Sequence, residues 1–308
     1  MKFLAPLVLT FIVVLPTARG QSSGEPCNAP VPLENRNPTL QRELETRMRE
    51  KGWGRLMDKQ ALAVSLVDLT RRNRRYYAGV NDDKMLYAAS LPKIAILLSV
   101  IEAVEQGNLE WTFEFDRRLQ NMIVASSNTD ASWGVDIVGL LSIEKTMRSP
   151  RYCFYNEPEG GLWVGRPYRR GGASNRDPLY NISHGSTSRQ AARFYTMLDA
   201  GQLVSKHWSF RMLGLMSPPK HFHKFVGGLS KEPGVVFLAR KSGTWRTFHA
   251  DSALIQAHGH RYVLVGLSDT KNGEGIMREL AKMAHDIVTE GKHRKPKRRT
   301  RRRRNARR

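Results

Sequence analysis

Residues 90–107 have the sequence SLPKIAILLSVIEAVEQG. From Pro92 onward the pattern is helical, with proline at the start and glycine at the end, where each suits helix geometry. The segment is strongly apolar, which predicts a helix buried within a domain. Ser90 and Lys93 stand at its entrance, and a residue three positions later returns to the same face of a helix.

The pair Ser90 and Lys93 can form a nucleophile. A lysine packed among apolar neighbours loses proton affinity, and once neutral it accepts the serine proton. The alternative is that Ser90 caps the helix and Lys93 is an ordinary surface lysine. An isolated Ser-x-x-Lys does not decide between the two, so the pattern needs support from elsewhere in the chain.

The segments around this helix predict one sheet built from distant parts of the chain. Alternating runs at 61–69 and 73–79 precede it, and β-rich runs at 234–241, 247–257 and 261–268 follow it. Between them, helical patterns occupy 119–125, 129–141 and 187–200, and 274–290 predicts a closing amphipathic helix. We therefore predict an α+β fold with a five-stranded antiparallel sheet, in a domain over 38–290 with a helical subdomain at about 88–212.

Two downstream motifs accompany Ser90 and Lys93. Ser126-Ser127-Asn128 lies between two helical segments, and Lys241-Ser242-Gly243-Thr244 ends a predicted strand. In this order, the three motifs are the combination of serine β-lactamases and penicillin-binding proteins. The chain resembles the class A β-lactamase family over most of residues 38–290.

This resemblance implies a role for each matched residue. Ser90 would be the acylated nucleophile and Lys93 its base or proton relay. Ser126 would be the proton donor to the leaving nitrogen, and Asn128 the partner of the substrate amide. The backbone N–H groups of Ser90 and Thr244 would form an oxyanion hole for the tetrahedral intermediate. The residues of the third motif would bind the substrate carboxylate and line the edge of the strand. They are Lys241, Ser242, Gly243 and Thr244.

Deacylation in the family depends on a glutamate in a loop after the Ser-x-Asn motif, with an asparagine four residues later. Asn156-Glu157-Pro158-Glu159 resembles the glutamate part, which makes Glu157 the candidate base. Gly161 stands where the asparagine would be, and the insert 160–177 has no assigned counterpart. The alternative is that both glutamates are solvated loop carboxylates.

Composition limits the class of protein. The 308 residues include 50 Lys and Arg against 28 Asp and Glu, for a formal net charge of +22. A hydrophobic fraction of 40% suffices for a sizeable core and argues against a disordered protein. No apolar run of about 18 residues follows the first twenty, which excludes a multispanning membrane protein.

The two ends of the chain predict export and a charged tail. Residues 1–20 have the pattern of a secretory signal peptide, with an uncleaved anchor as the alternative, and 21–37 form a linker. The mature chain is then periplasmic or secreted, with no transmembrane span. Residues 291–308 are strongly basic, which predicts a disordered tail that contacts anionic envelope polymers or lipids, or is merely solvated. No aromatic residues are interleaved for base stacking, so we do not expect nucleic acid.

The cysteines allow one disulfide, and the histidines do not form a recognisable metal site. In an oxidising compartment Cys27 and Cys153 either pair or stay as isolated thiols, since spacing does not establish geometry. His221 and His223, like His258 and His260, have a spacing that suits zinc, but no carboxylate completes a recognisable set nearby. We predict no metal and no organic cofactor.

The leading hypothesis is an exported serine hydrolase that opens a β-lactam amide through an acyl-enzyme on Ser90. The first alternative keeps this chemistry with slow deacylation, as in a penicillin-binding protein, a D-Ala-D-Ala carboxypeptidase or another amide or ester hydrolase. The missing asparagine favours it. The second alternative is a noncatalytic envelope-binding protein. The substrate is a β-lactam or a peptidoglycan-like small molecule in the first two cases.

Overall fold

The structure is a computed structural model that describes residues 33, 35–157 and 159–294. The helices are α1 (Pro38–Glu50), α2 (Gly54–Asp58), α3 (Lys93–Glu105), α4 (Phe113–Val124), α5 (Asn128–Val138), α6 (Leu140–Arg148), α7 (Ser188–Asp199), α8 (Lys206–Leu215), α9 (Lys224–Leu229) and α10 (Gly273–Glu290). The strands are β1 (Leu62–Arg71), β2 (Arg74–Val80), β3 (Leu86–Tyr87), β4 (Tyr155–Asn156), β5 (Gly160–Gly161), β6 (Trp163–Val164), β7 (His184–Ser186), β8 (Val235–Trp245), β9 (Phe248–Ala257) and β10 (His260–Asp269).

Five long strands form one antiparallel sheet in the order β2-β1-β10-β9-β8. β1 pairs with β10 from Leu62 opposite Ser268 to Asp68 opposite Tyr262. Strands from the two ends of the domain are therefore neighbours, and the helices between them form an insertion. The predicted α+β fold with a five-stranded antiparallel sheet is confirmed.

Both faces of the sheet are buried, as the alternation along β1 shows. Leu62, Val64 and Leu66 belong to one hydrophobic cluster, together with α1 and α10. Ala63 and Val67 point the other way, into a second cluster formed with α3 and α7. Each fully buried side chain of this size contributes about 1.5–3 kcal/mol, so the helical layers on both sides hold the sheet in place.

The helix α3 lies in the centre of the second cluster, as its apolar sequence predicted. It begins at Lys93 and ends at Glu105, and Ile94 through Ile101 are buried. Because the whole first turn is enclosed, the amino group of Lys93 is removed from solvent together with the apolar side chains around it.

One predicted helix is two helices in the structure. The segment 129–141 breaks at Gly139, which has φ of 79° and separates α5 from α6. A positive φ is readily adopted by glycine and interrupts the helical hydrogen-bond pattern. The prediction of a single helix there was wrong because the apolar spacing continues across the break.

A further short helix, α9, follows the predicted limit of the helical subdomain near 212 and reaches Leu229. This short helix contains two glycines and has little intrinsic helix propensity. Phe225 and Leu229 are buried in the same cluster as α10. Gly228 packs so closely that an added Cβ would lie 2.4 Å from the carbonyl oxygen of Arg278. Tertiary packing therefore stabilises α9.

The first described residues of the predicted basic tail are folded. After Gly291 in the left-handed region, Lys292–Arg294 form a 3₁₀ turn. His293 Nε2 lies 2.5 Å from the carboxylate of buried Asp68, and Arg294 donates to the same oxygen at 2.7 Å. Residues 1–32 and 295–308 lie outside the described residues, so the signal peptide and the contact of the tail with anionic polymers or lipids stay predictions.

A buried ion pair joins β8, β9 and α9. Arg240 donates to the carboxylate of Asp251 at 2.8 and 2.9 Å, and the backbone N–H of Phe225 donates to it at 3.0 Å. Both side chains are almost completely buried. Removal of one partner leaves the other charge buried without compensation.

We expect Asp251→Asn to lower the free energy of unfolding by about 3 kcal/mol, because it leaves the Arg240 guanidinium without its counter-charge. The measurement is denaturant unfolding. The matched control is Glu274→Gln, which breaks the exposed i,i+4 pair with Arg278 and should cost less than about 1 kcal/mol. Equal losses in the two variants would contradict a structural role for the buried pair.

Candidate active site

Ser90 lies in the turn between β3 and α3, on the wall of a cavity of about 730 Å³. Ala89 before it has a positive φ of 51°, and Lys93 after it begins α3. Ser90 is half-buried, whereas Lys93 is completely buried. Ser90 therefore lines the cavity, whereas Lys93 is enclosed.

The ammonium group of Lys93 is held by the Ser-x-Asn motif. It donates to the backbone oxygens of Ser126 at 2.6 Å and Ser127 at 3.2 Å, and to Asn128 Oδ1 at 2.8 Å. Burial lowers the pKa of Lys93 to about 7, although Asp130 opposes this shift. A large share of Lys93 is consequently neutral near pH 7 and able to accept a proton.

Lys241 on β8 connects the third motif to the second. Its Nζ donates to Ser126 Oγ at 2.9 Å, and burial together with the charge of Lys93 holds its pKa well below the usual range. Ser126 has a positive φ of 59°, and Ser127 caps α5 by accepting from Asp130 N at 3.1 Å. The cap fixes the start of α5 and thereby the orientation of the motif.

Gly243 allows β8 to pass directly against the turn of Ser90. A Cβ at this position would lie 2.2 Å from the carbonyl oxygen of Ala88 and 2.7 Å from Ser90 N. No side chain fits in this space. Thr244, the next residue, lines the same cavity as Ser90. The two backbone segments predicted to supply the oxyanion hole are thus in contact, and Ser242 is buried beside Gly243.

The structure does not bring Glu157 to the cavity of Ser90. Its side chain is 57% exposed and accepts from Arg148 at 3.1 Å. Glu159 instead binds Arg189, at 2.9 and 3.0 Å. Among the described residues, no aspartate or glutamate lines the cavity.

A tyrosine that sequence analysis missed lies against the catalytic lysine candidate. The ring of Tyr168 is 4.6 Å from Lys93 Nζ, and its hydroxyl donates to the carbonyl oxygen of Ala89 at 3.2 Å. Burial raises the pKa of Tyr168, so the hydroxyl stays protonated. Tyr168 belongs to the unassigned insert, whose sequence contains no recognisable motif that could have indicated this role.

The ring of His184 packs against the ring of Tyr168 at an interplanar angle of 46°, with ring centroids 4.2 Å apart. Burial lowers the pKa of His184 to about 4, so the ring is neutral near pH 7. Its Nε2 lies 3.1 Å from the carbonyl oxygen of Arg166, which makes Nε2 the protonated nitrogen. His184 and Tyr168 thus form a neutral aromatic wall of the cavity.

Lys224 is a second lysine that sequence analysis missed. It is buried behind β8 and donates to Thr244 Oγ1 at 2.8 Å and to the carbonyl oxygens of Gly243 and Ala250. Burial lowers its pKa to about 8. A second buried lysine, Lys224, therefore contacts the third motif at Gly243 and Thr244. The only nearby sequence signal was the histidine pair at 221 and 223.

The described residues contain no group of three or more His, Cys, Asp or Glu side chains placed to hold a metal. His221 and His223 face each other with ring centroids 5.5 Å apart, and His223 lies 3.5 Å from Arg240. Cys153 is disulfide-bonded. Cys27 lies outside the described residues, so its pairing with Cys153 stays a prediction.

Similar folds are found among β-lactamases and penicillin-binding proteins. A β-lactamase from Sphaerobacter thermophilus is 17% identical, with 74% of this chain and 92% of that chain covered and a TM-score of 0.58. A class A β-lactamase from Bacteroides cellulosilyticus is 13% identical, with coverages of 82% and 99% and a TM-score of 0.62. A mutant of PBP-A, solved as an acyl-enzyme complex with penicillin G, is 17% identical, with coverages of 84% and 100% and a TM-score of 0.63.

The fold is therefore that of the β-lactamase and penicillin-binding class of proteins. The family model described as the β-lactamase enzyme family matches residues 55–288, and this chain belongs to that family. Its fold and family are those of a β-lactamase-like hydrolase. No curated protein matches the chain in sequence. Within its described part, no helix is long and apolar enough to cross a membrane.

The low proton affinity of two of the buried lysines, Lys93 and Lys224, is directly measurable. In protein labelled with ¹³C at lysine Cε, we expect one NMR resonance to titrate near pH 7 and another near pH 8. The first should disappear in Lys93→Met and the second in Lys224→Met. In denaturant all lysines should titrate near 10.4, the approximate value for unfolded peptides. Absence of any lysine titrating below about pH 9 would contradict the burial argument.

Proposed function

We propose that this protein is an exported serine hydrolase that forms an acyl-enzyme on Ser90 with β-lactams or peptidoglycan-like acyl donors. The observation that carries the proposal is the convergence of three separate motifs on one cavity. Lys93 contacts the Ser126–Asn128 segment, and Lys241 contacts Ser126. A noncatalytic envelope-binding protein has no need for buried lysines in these contacts, since burial of an ammonium group is costly.

The proposed acylation begins with attack of Ser90 Oγ on the carbonyl carbon of the amide. Neutral Lys93 accepts the serine proton, and the backbone N–H groups of Ser90 and Thr244 stabilise the oxyanion. When the C–N bond breaks, the hydroxyl of Ser126 donates its proton to the leaving nitrogen. Lys241, hydrogen-bonded to Ser126 Oγ, is positioned to support this transfer.

The substrate carboxylate would bind at the edge of β8, near Lys241 and Lys224. Lys241 and Thr244 were assigned this role by resemblance, and Lys224 donates to Thr244 from the opposite side. Lys241 and Lys224 would supply positive charge next to β8, whose backbone lies against the turn of Ser90. Asn128 would hold the substrate amide while its Oδ1 accepts from Lys93.

We further propose that deacylation is slow, so that the protein behaves more like a penicillin-binding protein than like a rapid β-lactamase. A hydrolytic water needs a general base within hydrogen-bond reach. No described lining residue is a carboxylate, and Glu157 binds Arg148 outside the cavity. Beside Lys93 lies the ring of Tyr168, which does not accept a proton near pH 7.

Acylation is tested by intact-mass spectrometry of the mature protein with benzylpenicillin over a time course. We expect an adduct with the full mass of the drug, because ring opening releases no leaving group. Ser90→Ala should form none. Ser99→Ala is the matched control on α3, where the hydroxyl has no hydrogen-bond partner among the described residues, and it should react normally. Absence of a Ser90-dependent adduct would overturn the proposal.

The role of Glu157 is tested by the lifetime of that adduct. We expect Glu157→Gln to change the lifetime by less than about twofold, because the carboxylate lies outside the cavity. Glu144→Gln is the control, since Glu144 is the other carboxylate bound by Arg148. An increase of about a hundredfold in Glu157→Gln alone is the effect expected for a lost general base, and it would restore Glu157 as that base.

A further inference from the structure

The segment between β6 and β7, residues 165–183, makes one side of the cavity strongly basic. We call it the arginine loop, because four of its side chains line the cavity together with Ser90: Arg166, Arg169, Arg170 and Arg176. No described lining residue carries a negative charge. The proposed acylation uses none of these arginines.

Three of the four arginines have no ion-pair partner among the described residues. Arg169 is neutralised by a bidentate ion pair with Asp136, at 2.7 and 2.9 Å. Arg166 and Arg176 make no ion pair with a described residue. Arg176 donates through Nη1 to the carbonyl oxygen of Asn181 at 2.8 Å, which anchors the side chain and leaves its other donors available. Arg170 is exposed.

Arg166 and Arg176 influence the pKa values of the same two residues that line the cavity, His184 and Tyr87. Burial lowers the pKa of His184, and the positive charges of Arg166, Lys93 and Arg176 lower it further. Burial raises the pKa of Tyr87, and the charges of Arg166 and Arg176 oppose that rise. Both guanidinium groups are therefore close enough to influence the same two side chains, on the side of the cavity that holds Tyr168.

This wall differs from the strand that would bind the first substrate carboxylate. Lys241 on β8 and Lys224 on α9 do not line the cavity, whereas the four arginines line it together with Asn128 and Thr244. Asn128 is the proposed partner of the amide that carries the acyl side chain. A group on that side chain would consequently extend toward the loop. Guanidinium groups match carboxylates through paired hydrogen bonds.

We propose that Arg166 and Arg176 bind a second carboxylate, located on the acyl side chain of the substrate. The preferred substrates are then acyl donors with two carboxylates, one held along β8 and one held by the arginine loop. The orientation rests on the proposed acylation at Ser90. A cationic acyl side chain is disfavoured at the same place, because the wall already has excess positive charge.

The test compares three penicillins that differ at one position of the acyl side chain: benzylpenicillin, its α-carboxy derivative carbenicillin and its α-amino derivative ampicillin. Equilibrium binding to Ser90→Ala is measured by calorimetry, so no covalent step intervenes. We expect carbenicillin to bind about tenfold more tightly than benzylpenicillin, as one charge-assisted contact predicts, and ampicillin to bind more weakly.

The arginines are tested by the ratio of the carbenicillin and benzylpenicillin affinities. In Arg166→Gln and Arg176→Gln, each combined with Ser90→Ala, the ratio should fall toward one, and Arg→Lys should retain part of it. The control is Arg72→Gln, an equal loss of charge at an exposed site between β1 and β2, which should keep the ratio. Melting temperatures establish that each variant is folded.

Equal affinities for the three penicillins, no binding of any of them, or a ratio unchanged in both arginine variants would overturn the second carboxylate site. The acylation experiment on the protein with Ser90 intact gives an independent answer. A carbenicillin preference without a Ser90 adduct means that the proposed function fails and the anion site stands. An adduct without a carbenicillin preference means that the proposed function stands and the second carboxylate site fails.

Discussion

The burial of one ammonium group determines much of the site. Lys93 begins a helix enclosed by apolar side chains, and its hydrogen bonds go to Ser126, Ser127 and Asn128. A buried charge is tolerated only where polar partners satisfy it, so α3 and the start of α5 must keep this relative position. The same burial lowers the pKa of Lys93 to about 7. The interaction that holds the two helices together therefore also prepares a proton acceptor.

The sheet supplies the third part of the site through a close contact. Gly243 places β8 against the turn of Ser90 at a distance that excludes any side chain. The strand also presents Lys241 to Ser126, and the buried pair of Arg240 and Asp251 ties this strand to β9. Packing of the sheet thus sets the geometry between a backbone segment and a nucleophile, which local sequence does not encode.

A third feature of the site is the charge of the residues that line the cavity. No described lining residue is acidic, Tyr168 covers Lys93, and the arginine loop adds uncompensated positive charge. Water near the proposed ester lacks a carboxylate base, whereas anionic groups on a substrate gain partners. The proposed slow deacylation and the proposed preference for a second carboxylate rest on the same distribution of charge.

The sequence by itself determined the five strands, the buried helix from Lys93 and the three motifs, because each depends on local periodicity or short spacing. It did not indicate the break at Gly139, the folded turn at Lys292–Arg294, or the roles of Tyr168, His184 and Lys224. Glu157 matched a motif in sequence, yet its loop directs it toward Arg148. Only the tertiary structure decided these points, because burial, charge partners and close contacts arise between segments far apart in the chain.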